Sequence, residues 1–179
     1  VISTAIKNGR AQTESVSAAI RSMSTLNRAA AEALGEIEAQ TKWQSVIHAV
    51  TDITGFGLLG HAREMALGNP EKGIASASFE IDHKAFAYLP GAVQAAKDGH
   101  LPGGLKNNRE FIGECAQFAS SVPQEYRDLL FDPQTSGGLL ISIAAEAGAD
   151  VLAALQRRGT AGRIVGSVHN KKSPLIHVT

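Results

Sequence analysis

Thr51-Asp52-Ile53-Thr54-Gly55-Phe56-Gly57-Leu58-Leu59-Gly60-His61 is the stretch from which the rest of the chain can be read. Upstream, Trp43 to Val50 reads as a strand. Downstream, Gly57 to Leu67 reads as a helix, with Leu58, Ala62, Met65 and Ala66 on one face. A strand therefore runs into an aspartate, then into Thr-Gly-x-Gly, then into a helix. A carboxylate at a strand end can give Mg²⁺ a hard oxygen ligand, the remaining ligands coming from phosphates and water. Glycines at a helix start let backbone N–H groups approach an anion, which the helix dipole favours. The residue types alone equally describe a solvated aspartate in a tight loop, since one carboxylate is not a metal site.

The same stretch contains Gly55-Phe56-Gly57-Leu58-Leu59-Gly60, a Gly-x-Gly-x-x-Gly pattern between a strand and a helix. Asp82 stands 22 residues beyond Gly60, close to where a dinucleotide fold keeps its ribose-binding acid. A NAD-type module using Gly55, Gly57, Gly60 and Asp82 is thus an alternative. Against it, Asp52-Ile53-Thr54 separate the strand from the first glycine, and an anionic aspartate repels a pyrophosphate unless a metal intervenes. Regular strand–helix alternation is also missing elsewhere in the chain.

A second segment, Phe131-Asp132-Pro133-Gln134-Thr135-Ser136-Gly137-Gly138, runs into an apolar stretch. Its proline and paired glycines force a tight loop with exposed N–H groups, either a strand-entry turn or an anion nest in which the Thr135 and Ser136 hydroxyls could help. Ser136 does not sit in the Gly-x-Ser-x-Gly pattern of a nucleophile elbow. A third segment, Leu101 to Arg109, is rich in glycine and carries Lys106 and Arg109. It reads as a surface loop or an anion-binding loop. The histidines at 48, 61, 83, 100, 169 and 177 show no local metal-ligand spacing, and His61 reads as a packed helix residue. Cys115, the only cysteine, reads as a small buried hydrophobe in an amphipathic helix. A lone cysteine rules out an internal disulfide and fits a reducing compartment.

Working outward, Val1 to Ile6 reads as a strand met part-way along. The missing initial Met makes a piece of a longer protein the expectation. Val16, Ile20, Met23, Leu26, Ala30, Leu34 and Ile37 recur at helical spacing, as one long helix or two. Ala75 to Ile81 reads as a strand, Pro90 to Lys97 as a short helix, His100 to Asn108 as a loop, and Glu110 to Ala119 and Gln124 to Leu130 as helices. Gly138 to Ile143 reads as a buried strand and Glu146 to Arg158 as a helix closed by Gly159. Arg163 to Val168 and Leu175 to Val178 read as a closing hairpin. The 179 residues, 44 % apolar, suit a single domain. Basic and acidic residues balance at 17 each, which gives no sign of a nucleic-acid partner. No apolar run approaches the roughly 20 residues needed to cross a bilayer, and no signal peptide is visible at the N-terminus.

Three segments together carry a resemblance. Residues 51–61, the run Leu-Leu-Phe-Asp-Pro-Gln-Thr-Ser-Gly-Gly-Leu-Leu at 129–140, and Pro-Gly-Gly followed by Asn at 102–107 resemble signatures of the selenide, water dikinases (selenophosphate synthetases). These belong to the aminoimidazole ribonucleotide synthetase-like superfamily. The resemblance implies that residues 1–179 form the C-terminal domain of a longer enzyme, with an α+β fold in which a layered mixed β-sheet is covered by helices. It implies an ATP-dependent cytoplasmic transferase making selenophosphate, AMP and phosphate from ATP, selenide and water. Mg²⁺ would be its metal and a homodimer its full-length form. The absent N-terminal half would hold most of the ATP site and the catalytic Cys or selenocysteine, so this piece alone would be inactive and would contribute no catalytic residue. Asp52 is then the metal ligand carried over to this chain. Thr54, Gly55 and Gly57, and more weakly Thr135 and Ser136, are candidate neighbours of the phosphates.

Overall fold

The computed structural model describes residues 1–40 and 45–179; Trp43 and Gln44, the start of the strand expected from Trp43 to Val50, lie outside the described residues. In chain order the elements are α1 (Ile2–Lys7), α2 (Thr13–Ser24), α3 (Arg28–Gln40), β1 (Ile47–Asp52), α4 (Gly57–Leu67), β2 (Ala77–Ile81), α5 (Ala92–Lys97), α6 (Gly103–Ile112), β3 (Ala116–Phe118), α7 (Gln124–Phe131), β4 (Leu139–Ile143), α8 (Gly148–Arg157), β5 (Gly166–Asn170) and β6 (Ile176–Val178). The class is α+β, as the family resemblance implies.

The strands form two sheets rather than one. A mixed four-stranded sheet has the order β3-β6-β2-β5, and β1 pairs with β4 in a separate two-stranded sheet. Within the mixed sheet β6 runs parallel to both β3 and β2, while β5 is antiparallel to β2. The principal core lies where this sheet meets α4, α6 and α7. Leu59, Ile112, Val122, Ile176 and Val178 are its fully enclosed side chains. A second core joins α3 and α8 through Ala33, Leu34, Ile37, Val151, Ala154 and Leu155, with Ile47, Leu139, Ile141 and Ile143 of the small sheet packed on it. The stripes of α3 and α8 thus bury one another, whereas Ile20 and Met23 of the expected α2 stripe stay exposed and α2 buries Ser15, Ala18 and Ala19 instead.

Several expectations are corrected. Val1 to Ile6 belongs to a helix, not a strand: Ile2 and Ala5 turn inward at a spacing of three, which the β-branched residues around them conceal. The long helical region is two helices, broken at an extended Thr25 beside a Leu26 that is 77 % exposed. His100 to Asn108 is not a loop. Pro102 caps α6, and Gly103 and Gly104 form its first turn. The helix expected from Glu110 to Ala119 ends early, because Gly113 takes a φ of +49° and β3 follows. Cys115 therefore lies in a short 3₁₀ turn and is half-buried.

The closing hairpin is not formed either. β5 and β6 lie on opposite sides of β2. The burial pattern explains why: Ile176 and Val178 are completely enclosed and need strands on both sides, whereas every residue of β5 is exposed, as on an edge strand. β4 is half-buried along its whole length rather than buried.

Candidate functional site

The pairing of β1 with β4 decides where the chemistry-bearing segments go. Asp52 stands opposite Leu139 at the end of the ladder. Beyond that pair the two chains stay bonded as loops. The amide of Ile53 donates to Gly138 O at 2.9 Å, that of Gly137 to Ile53 O at 2.9 Å, and that of Gln134 to Thr54 O at 3.0 Å. The Asp52 segment and the Asp132–Gly138 segment, some 80 residues apart in sequence, are thereby one connected structure.

Close packing explains two of its glycines. A Cβ on Gly137 would lie 2.9 Å from Ile53, and one on Gly57 would lie 2.9 Å from the backbone carbonyl of Phe131. Gly57 also has φ +68°, a left-handed conformation that side chains resist. Gly57 is buried and serves this approach; Gly55 is exposed with open space around it.

Helix α6 supplies the third side. The Asn108 side-chain nitrogen donates to Gly55 O and to Phe131 O, both at 2.9 Å, so one buried amide joins the Asp52 loop to the end of α7, where the second segment begins. A Cβ on Gly104 would stand 3.0 Å from the Pro133 ring. All three segments singled out in the sequence therefore converge. The sequence reading takes Leu101 to Arg109 as a loop and gives Asn108 no role; the helical phase of α6, hidden by Gly103-Gly104, is the signal that would have found it. Arg109 does not face an anion site. It bonds to the buried Asp128 of α7 and lies over the Phe131 ring. Lys106 is exposed and 3.9 Å from Glu110.

The Asp52 side chain is exposed and has no hydrogen-bond or ion-pair partner among the described residues. Thr54 is engaged: its amide donates to His61 Nε2 at 3.1 Å, and its hydroxyl oxygen is also 3.1 Å from that nitrogen. An accepting Nε2 leaves the ring proton on Nδ1, an assignment that follows from the amide donor. Nδ1 is buried without hydrogen-bond geometry to any group, although a Glu64 carboxylate oxygen lies 3.3 Å away. Thr135 is exposed, and the Ser136 hydroxyl reaches Thr25 O at 3.4 Å. Both border an open groove of about 1490 Å³ that also touches Ile53, Glu80 and Arg163 but not Asp52.

Asp132 is buried. The Val1 nitrogen sits 2.7 Å from its Oδ1 and the Gln134 amide 3.0 Å from its Oδ2. Burial pushes this carboxyl above its ordinary value, against the opposing pull of its hydrogen-bond partner Gln134.

The dinucleotide alternative loses its structural basis. That reading needs a parallel strand–helix–strand unit, but among the described residues β1 pairs only with antiparallel β4. Asp82 follows β2 in the other sheet, where its carboxylate accepts the Lys84 amide at 2.9 Å.

The family model described as AIR synthase related protein, C-terminal domain, matches residues 7–178. The chain belongs to this family. Among curated proteins it is similar to a selenide, water dikinase of Pelobacter propionicus, 41 % identical over 94 % of this chain and 44 % of that protein. It is also similar to one from Caldanaerobacter subterraneus, 37 % identical over 99 % of this chain and 48 % of the relative. A third, from Clostridioides difficile, is 33 % identical over 99 % and 47 % respectively. The chain spans about half the length of the curated relatives it matches. No helix among the described residues is long and apolar enough to cross a membrane.

Proposed function

We propose that residues 1–179 act as the C-terminal domain of a selenide, water dikinase, which makes selenophosphate, AMP and phosphate from ATP, selenide and water. In this reading the full-length enzyme is a cytoplasmic homodimer, and Asp52 is the carboxylate this domain adds to a Mg²⁺ site shared with an N-terminal half. The observation that carries it is the junction of the three signature segments at the strand end bearing Asp52.

The donor set suits a shared site. No group of three or more His, Cys, Asp or Glu among the described residues could hold a metal, so in this reading Asp52 binds one only together with ligands from elsewhere. A single exposed carboxylate with no partner fits Mg²⁺, which takes one or two carboxylates alongside phosphate oxygens and water. When bound, the metal would neutralise charge on the triphosphate. Asp52 would present its carboxylate, and the Ile53–Gly138 and Thr54–Gln134 backbone bonds would hold the strand end that aims it. Gly55 and Thr135, both exposed, are the loop positions open to a phosphate. Gly57 and the Thr54 amide are already used within the protein.

The test is selenide-dependent conversion of ATP to AMP by the full-length protein, wild type against Asp52→Asn. Loss of Mg²⁺-dependent turnover with an unchanged melting temperature is expected. Equal turnover by both proteins would remove Asp52 from the metal site. No turnover by wild type would remove the dikinase reading.

A further inference from the structure

We infer that Asn108 is a positioning residue, which sets the placement of the Asp52 loop against the Asp132–Gly138 loop. The inference rests on the dikinase reading for its kinetic consequence, but its geometric content stands independently.

Asn108 is only 6 % exposed, on the inward face of α6. Both protons of its amide nitrogen are spent, one on Gly55 O and one on Phe131 O. Both partners are backbone carbonyls and can only accept, so the amide has one permitted orientation. Among the described residues it is the only side chain that hydrogen-bonds both to the Asp52 loop and to Phe131, the last residue of α7, from which the Asp132–Gly138 loop runs on. The backbone bonds between the loops lie at 53–54 and 134–138. Asn108 joins the far side at 55 and 131, so the Asp52 loop and the end of α7 that leads into the 132–138 loop are tied at a second point, away from the ladder end.

Helix α6 is in turn fixed to α7 by the Arg109–Asp128 ion pair one residue on. The clamp therefore has a rigid base. No other residue type offers two donors from one short side chain at this depth. Aspartate has the same shape but would turn acceptors toward two carbonyls, and alanine would leave both carbonyls unpaired. Asn108 touches no reacting atom in this reading; it acts through the loop that carries Asp52.

The experiment uses the full-length protein with Asn108→Ala, Asn108→Asp and, as control, Glu110→Gln at an exposed site on the same helix. Amide hydrogen exchange is read on peptides covering 53–57 and 132–138, and on α3 and α8 as a remote reference. The expected result is exchange at least tenfold faster in both loops for Asn108→Ala, faster still for Asn108→Asp, and no change in α3 and α8. Glu110→Gln should leave all of them unchanged.

Kinetics on the same samples should show kcat for AMP formation reduced tenfold or more with a raised Mg²⁺ half-saturation, in the order Asn, Ala, Asp. Exchange that accelerates equally in α3 and α8 would make Asn108 merely structural and overturn the inference. So would loop exchange and Mg²⁺ dependence at wild-type values. An inactive wild type would instead count against the dikinase reading, with the exchange data still deciding the clamp.

Discussion

His61 Nε2 lies 3.1 Å from both the backbone nitrogen and the hydroxyl of Thr54, so a helix residue holds the loop that leads into its own helix. A ring that is buried and pinned at one nitrogen fixes the peptide two residues beyond Asp52 without any contact with Asp52 itself.

Replacing His61 with Ala should leave the Thr54 amide without its acceptor and open a small void beside Phe56, whose ring packs edge-on at 5.8 Å. An unpaired buried amide costs about 1–3 kcal/mol, and the half-buried Thr54 amide should cost less. The expectation is a lower urea midpoint, with His61→Gln losing less because its side-chain oxygen can accept. Equal losses for both variants would show that packing, not the hydrogen bond, is what His61 supplies.

Gly57→Ala should be among the most damaging single-methyl additions in the chain. Its φ of +68° costs a side chain about 1–2 kcal/mol, and the new Cβ would meet the Phe131 carbonyl at 2.9 Å. Gly55→Ala, with nothing within 4 Å of the new atom, is the matched comparison. Thermal melts should rank Gly57→Ala well below Gly55→Ala; similar values would mean that the loop yields at no cost.

Asp132 makes stability depend on pH in a direction unusual for a carboxylate. Its folded value is raised above the ordinary 3.8 by burial. Its contribution is therefore fully present below that value and is lost as pH rises through the raised one. Comparing melting temperatures of wild type and Asp132→Asn from pH 3.5 upward, the difference should shift in favour of the variant as pH increases. A constant difference would place the carboxyl at its ordinary value.

Leu59 anchors α4 in the principal core and is completely enclosed. Leu59→Ala should cost about 2–5 kcal/mol, read as a shift in the urea midpoint. A change below 1 kcal/mol, about the cost of a conservative trim, would mean that the core closes over the gap.

Much of this architecture was legible in the sequence because its signals are local. The strand leading to Asp52, α7 and α8 announce themselves by period; the expected α4 stripe catches Ala62 and Ala66 but takes the half-buried Leu58 and Met65 and misses the enclosed Leu59. The errors have physical reasons. Gly103-Gly104 reads as a loop, yet small residues are what allow the first turn of α6 to sit against Pro133. The last two strands look like neighbours in sequence, but pairing is settled by burial, and β6 must be interior while β5 lies at the edge. At the candidate site, the residue types around Asp52 were readable and its juxtaposition with the 132–138 loop was not. That contact depends on a ladder between strands nearly ninety positions apart. Asn108 and His61, whose roles lie wholly in what they touch, carried no pattern of their own.

The register of β1 on β4 has a consequence for how this chain can change length. Asp52 shares a sheet face with Leu139 and Ile141, which pack on α3 and α8, while Thr51 shares the opposite face with Leu140, which packs on the principal core. Insertions in the turns after α4 or α8 would leave that ladder intact, because neither turn lies between Asp52 and Leu139 in space. Gaining or losing a single residue within β1 would instead exchange the two faces. The carboxylate would then point to the face of Leu140 and the principal core, and Thr51 to the face that Asp52 had left.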